Sequence, residues 1–131
     1  MTALRRTLLA QAALWALLGL ALALAPRFTL VSLFGQPAPS DPAWLRIAGV
    51  QAIGLAMLEV LVSRRLEDLW WWAWAFELVT VAAASVAVLN LAFGLDPGQS
   101  AGVWWALSAV TVALAFGLLW ALSRTARANP P

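Results

Sequence analysis

The stretch RRLEDLWWWAWAFELVT, Arg64 to Thr80, decides the fold. Two arginines and two acids separate one long apolar run from another, and the second run opens with Trp70, Trp71, Trp72 and Trp74. A short charged link, Ser63 to Asp68, between runs of membrane length predicts two helices meeting in an antiparallel hairpin, with their joined ends at a lipid–water boundary. Glu77 follows the tryptophans, where apolar sequence has already resumed.

Working outward, four apolar segments cover residues 7–25, 44–62, 69–91 and 101–123. A bilayer core of ~30 Å is crossed by about 20 residues of helix. Inside lipid each backbone polar group needs a partner within its own segment, which predicts helices. The alternation of a membrane barrel strand is absent. LDPGQS, Leu95 to Ser100, carries turn signals in Pro97 and Gly98. The longest connection is PRFTLVSLFGQPAPSDP, Pro26 to Pro42. Its apolar part, residues 27–34, is too short to span and is expected to lie in the interface or to re-enter toward the bundle. Its second part is Pro-rich, with Ser40 or Asp41 as a cap for helix two and Pro42 in the first turn. The end, RTARANPP, reads as a disordered cytoplasmic tail over residues 124–131. The expected fold class is therefore all-α: an integral membrane four-helix bundle, one domain over residues 1–123.

Composition agrees. Of the 131 residues, 63% are hydrophobic and 11% charged, against about 25% charged in an ordinary soluble domain. A small domain has too much surface to hide this much apolar area from water, so lipid is the expected solvent. There are no cysteines and no histidines, which removes thiol chemistry and the commonest neutral-pH acid/base and metal ligand. No phosphate loop, catalytic triad or metal-ligand spacing is present. Neither enzyme activity, cofactor nor metal is expected. All eight basic residues are arginines that flank the apolar runs, so no basic stripe for nucleic acid forms.

The first segment has one alternative. Arg5 and Arg6, an apolar run and ALALA resemble a secretory signal, with cleavage after Ala23. The length of the run, and Pro26 directly after Ala25, favour a retained helix. For orientation, Arg5, Arg6, Arg64, Arg65, Arg124 and Arg127 fall on one side and only Arg27 and Arg46 on the other. The positive-inside bias then predicts both termini and the 63–68 link in the cytoplasm of a bacterial inner-membrane, multi-pass protein.

Tryptophans gather at interfaces, where the ring is buried and the N–H stays near water. Trp70, Trp71, Trp72 and Trp120 suit a cytoplasmic belt, and Trp44, Trp104 and Trp105 the opposite one. Trp15 and Trp74 lie deeper and are expected to pack in the bundle. An aromatic cation cage has no specific support.

Glu77 is not an anchor. It lies ~13 Å along a helix from Asp68, where an unpaired charge costs at least ~2.5–3.5 kcal/mol, so the group is expected to be protonated or paired. Trp70, Trp74, Glu77, Thr80, Ala84 and Ala87 share one helical face, small and mildly polar beyond Glu77, as a helix contact requires. Glu59 lies near the cytoplasmic end of helix two, and Gln11 at similar depth in helix one. Gln11, Glu59 and Glu77 are therefore expected to converge, with Thr80 beside them and Arg5, Arg6, Arg64 and Arg65 as candidate partners. Ala48, Ala52 and Ala56 form a second small-residue packing row. On the far side Arg46, Gln51 and Asp41, with Asn90 or Asp96, are expected to form a polar cap. Two readings of the carboxylates stand: hydrogen-bonding glue between helices, or a proton or ligand site.

The string WLRIAGVQAIGLAMLEVLVSRR, after a first helix ending ALAPRFTLVSLFG, resembles the small bacterial four-helix membrane proteins of the DoxX-like kind. The likeness covers the helix layout and residues 20–65, with Arg46, Ala48 and Gly49 matching an Arg–small–Gly start to helix two and Gly54 further on. It implies an accessory membrane subunit, as better known members are linked to quinone-dependent sulfur oxidation, but no residue here carries that activity over. Small four-helix multidrug exporters place an essential acid in helix one, where this chain has only Gln11. The function expected is an accessory or structural membrane protein, working through helix contacts in a homo-oligomer or larger complex within the lipid bilayer. The alternative is a small proton- or cation-coupled transporter or lipophile-binding protein using Glu77.

Overall fold

Four helices account for most of the chain in a computed structural model that describes residues 1–128: α1 (Thr2–Leu24), α2 (Ala43–Arg64), α3 (Leu66–Gly94) and α4 (Gly102–Ala128). All four are long and apolar enough to cross a membrane. No strand occurs among the described residues. Large apolar side chains cover the outside: Leu17, Leu24, Leu78, Phe93 and Phe116 are all exposed. This is the surface expected where the solvent is hydrocarbon, and the chain is a multi-pass membrane protein in architecture.

The helices run longer than the apolar segments. Helix α1 begins at Thr2, five positions before the expected residue 7, because Leu4 and Leu8 are fully enclosed and hold the first turns in the bundle. Helix α4 extends to Ala128, which corrects the reading of residues 124–128 as disordered. Buried Leu122 and Thr125 anchor that last stretch, and the Thr125 hydroxyl donates to the Ala121 carbonyl at 2.9 Å. Residues 129–131, the rest of the expected tail, lie outside the described residues.

Helix α1 is the centre of the arrangement. It packs antiparallel along α2 and against α4, and α4 packs antiparallel along α3. The α1–α2 register is set at both ends. Arg5 Nε donates to the Ser63 carbonyl at 2.9 Å, and Gly19 meets Gly49 backbone to backbone. A Cβ on Gly49 would lie 2.6 Å from the Gly19 carbonyl oxygen and 2.7 Å from the Ala23 nitrogen. In lipid, where apolar burial gives little drive for association, such close approach through small residues is what holds helices together. The expected Ala48–Ala52–Ala56 row is corrected by this contact. Ala56 is buried but Ala48 is exposed, and Gly49 occupies the contact in its place. The α2–α3 hairpin forms at the expected link, yet the two helices touch mainly near their joined ends.

The connection after α1 folds back rather than lying free. Pro26–Phe28 continue helically into a wider π-type turn at Thr29–Leu33. Thr29 is buried, and its hydroxyl lies 3.0 Å from the Ala21 carbonyl oxygen and 2.9 Å from that of Ala25. The Phe34 carbonyl accepts from Trp104 Nε1 at 3.0 Å, and the two rings meet edge to face at 5.1 Å. Trp104 is thus bonded to this connection and is not a free anchor. Asp41 Oδ1 accepts the Ala43 amide at 2.9 Å at the start of α2. The second turn closes with Gln99 N donating to the Asp96 carbonyl at 3.1 Å, with Gly98 at φ 94°, a backbone state that Gly adopts without a Cβ penalty.

At the end of the bundle where α1 begins and α4 ends, Leu4 and Leu8 of α1 close with Val62 of α2 on an apolar plug. It is completed by Leu66, Ala73 and Phe76 of α3 and by Leu118, Ala121 and Leu122 of α4. Trp70 packs against this plug, while Trp71 and Trp72 stack at 5.2 Å and stay exposed. Trp74 corrects its expected position, because it is 46% exposed and Ala73 is buried in its place. Residues 70–72 wind as a tighter 3₁₀ turn, with 3.0 residues per turn against 3.6. The straight α-helical phase drawn from Trp70 fails there, whereas Trp74 and Glu77 share one regular helix whose enclosed stripe runs through Ala73, Phe76 and Thr80 and leaves Trp74 to one side.

Candidate functional site

One turn beyond the plug lies a polar layer. Gln11 of α1, Glu59 of α2 and Thr80 of α3 are completely enclosed, and Glu77 is 7% exposed. The Thr80 hydroxyl donates to the Phe76 carbonyl at 2.7 Å, which leaves its lone pairs free to accept. Gln11 Nε2 donates to that hydroxyl and also to the Phe76 carbonyl at 3.3 Å. The amide of α1 is thereby fixed on the turn of α3 that carries Glu77.

Glu59 reaches the layer through the α1–α2 register. Pairing Arg5 with Ser63 and Gly19 with Gly49 sets Glu59 at the level of the turn around Gln11. Glu77 stands at the other edge, where it begins a groove of about 320 Å³ between α3 and α4. The groove runs past Val81, Ala84 and Val88 on one wall and Val112, Ala115 and Phe116 on the other. Apart from Glu77, Ser85 is its single polar side chain, and the Ser85 hydroxyl is taken by the Val81 carbonyl at 2.8 Å.

What the layer lacks is donors. Gln11 Oε1, both carboxyl oxygens of Glu59 and Glu77 Oε2 are buried with no hydrogen-bond partner. A buried acceptor left unsatisfied costs about 1–3 kcal/mol, more for a charged group, so four in one layer are not economical glue. The arginines named as partners do not supply the donors. All eight are exposed. Arg5 is held by Ser63, and Arg124 lies over the Trp120 ring at 4.6 Å. The leucine-rich plug separates the rim where they sit from Glu59 and Glu77, which is the reason closeness in sequence misleads here.

The expected polar cap does not assemble. Arg46, Gln51 and Asp41 are exposed, and among the described residues no hydrogen bond or ion pair joins them. Asn90 keeps an enclosed, unpartnered Nδ2, and Asp96 is exposed. Trp44 and Trp105 face outward, as do Trp71, Trp72 and Trp120, in keeping with anchoring. Trp15 is half-buried with its N–H enclosed and unpartnered. Among the described residues no cluster of three His, Cys, Asp or Glu side chains exists to hold a metal. Two carboxyls and an amide oxygen suit a proton, a hard cation or a donor-bearing organic group.

No family model matches the chain, and no curated protein or solved structure is significantly similar to it. The reading of the site rests on its own geometry. The α4 wall of the groove was not foreseen. Its signal in the sequence is the small residue Ala115 set between Val112 and Phe116.

Proposed function

We propose that this chain is a non-enzymatic inner-membrane protein of a bacterium in which Glu59, Glu77 and Gln11 form an intramembrane acceptor site for a proton or cation, serving a small carrier or lipophile-binding protein. The observation that carries this reading is the set of four enclosed, unpartnered acceptor oxygens in one layer, since ionisable groups inside the membrane are costly and mark ion and proton routes. Its test uses the full chain in proteoliposomes with a pH-sensitive dye trapped inside. A hydrophobic carbodiimide should modify Glu77 and stop proton flux, and Glu77→Gln should abolish the flux while leaving the folded bundle intact. Wild-type vesicles no leakier to protons than protein-free ones would sink the reading.

A second reading, the accessory subunit, is favoured by the groove itself, because Ala84, Ser85 and Ala115 are the small residues against which another helix packs. Under it, Glu77→Gln would disrupt self-association or a larger complex, and no flux would exist to lose.

The proposed topology puts both termini in the cytoplasm, supported by the six-to-two division of arginines. The chain has no native cysteine, so a single Cys at position 126 should react with an impermeant maleimide only after the inner membrane is breached. Labelling in intact spheroplasts would reverse the orientation.

A further inference from the structure

We infer that the groove between α3 and α4 binds a lipophilic amine, with its ammonium head at Glu77 and its apolar chain along Val81 to Val88. The inference rests on the acceptor-site reading above and names the ligand class for that site.

Three observations converge on this chemistry. The groove holds about 320 Å³, at the lower end of the range of small-molecule pockets. Its walls are apolar over their length, and its one free polar group stands at the end where Glu77 enters. An occupant must therefore bring a single polar head and an apolar body. The sign of that head follows from the surroundings. The groups facing the layer from the packed helices are Gln11, Glu59, Thr80 and Glu77, which include two acids and no base. The arginines lie beyond the plug or at the far rim. Glu77 is over nine-tenths buried, with Oε2 unpartnered, and a carboxylate in low dielectric is stabilised by a cation that donates hydrogen bonds to it. An ammonium supplies both the charge and the donors. A neutral head supplies neither at equal strength, and a phosphate or carboxylate head would be repelled. Glu59 is fully enclosed and does not line the groove, so it influences the head through the layer without touching it.

The test uses two photoaffinity probes of one chain length, each with a diazirine at mid-chain. One is a long-chain primary amine and the other the matching alcohol. The full-length protein in phosphatidylcholine vesicles is irradiated with each, and the adducts are mapped by mass spectrometry. The amine should label residues 81–88 and 112–116 about tenfold more than the alcohol, the effect of one charge-assisted hydrogen bond. Glu77→Gln should erase that difference, with intact folding checked by circular dichroism and gel filtration. Glu77→Asp should retain part of it, and Glu59→Gln should leave labelling confined to the groove. Equal labelling by amine and alcohol would make this a groove for lipid chains, and amine adducts elsewhere would place the site elsewhere. Either result overturns the inference. Proton flux in the same vesicles keeps the two proposals distinct. Flux that depends on Glu77 without amine selectivity leaves the acceptor site standing and removes this ligand class.

Discussion

Gly49→Leu is expected to separate α1 from α2 and to abolish the folded bundle in mild detergent. Even the Cβ of an alanine would stand 2.6 Å from the Gly19 carbonyl oxygen and 2.7 Å from the Ala23 nitrogen. Both are backbone atoms of a regular helix and cannot swing aside as a side chain would. Relief requires the helices to move apart along their whole contact, so Gly49→Ala should cost about 1–3 kcal/mol and leucine more. Gly19 carries the reciprocal constraint, 2.7 Å from the Gly49 carbonyl oxygen. Gly54, on the same helix, is the internal control. A Cβ there meets nothing within 4 Å, and Gly54→Ala should stabilise by about 0.5–1 kcal/mol through backbone entropy. Midpoints of unfolding in a mixed-detergent titration read all three changes. An unaltered midpoint for Gly49→Leu would show that the close contact is not made in the membrane.

The second large effect has the opposite sign. Glu59→Met is expected to raise the unfolding midpoint, by about 1–3 kcal/mol, because it removes two enclosed acceptors that have no donor. Methionine is close to glutamate in length and has a soft, adaptable thioether, so the space is refilled with little strain. The same change should eliminate proton flux. Gain of stability with loss of activity is the pattern of a site maintained for function against the preference of the fold. A lower midpoint for Glu59→Met would mean that Glu59 has a partner that holds the helices together, and the acceptor-site reading would lose its main support.

The helical content and the four spans were legible because lipid leaves a chain few alternatives and the required length is fixed. Gln11, Glu77 and Thr80 were legible as neighbours for a related reason. Polar groups in apolar helices stand out, and counting from the arginine-marked ends gives their depth. That count also holds the signal for the glycine contact. Gly19 follows Arg5 by 14 residues and Gly49 precedes Arg64 by 15, so the two stand at equal depth on neighbouring helices. What sequence could not rank was Gly49 against Gly54, since a glycine matters only when another helix presents its backbone to it. Trp74 was misplaced because the enclosed stripe of its helix runs through Ala73, Phe76, Glu77, Thr80 and Ala84, which leaves Trp74 to one side of that face, and one polar residue does not fix where the stripe is centred. The arginine partners failed on a different ground. Distance along the sequence ignored the leucines that come between them and the acids.

The plug formed by Leu4, Leu8, Val62 and Leu122 fixes the thermodynamic reference state for anything that reaches Glu77. A ligand entering past exposed Phe116 and Leu119 leaves the bilayer, not the aqueous phase, so occupancy follows its mole fraction among the lipids. Two amines with identical contacts to the groove will then differ in apparent aqueous affinity by the ratio of their partition coefficients. Adding protein-free vesicles at constant total ligand will empty the groove by dilution alone.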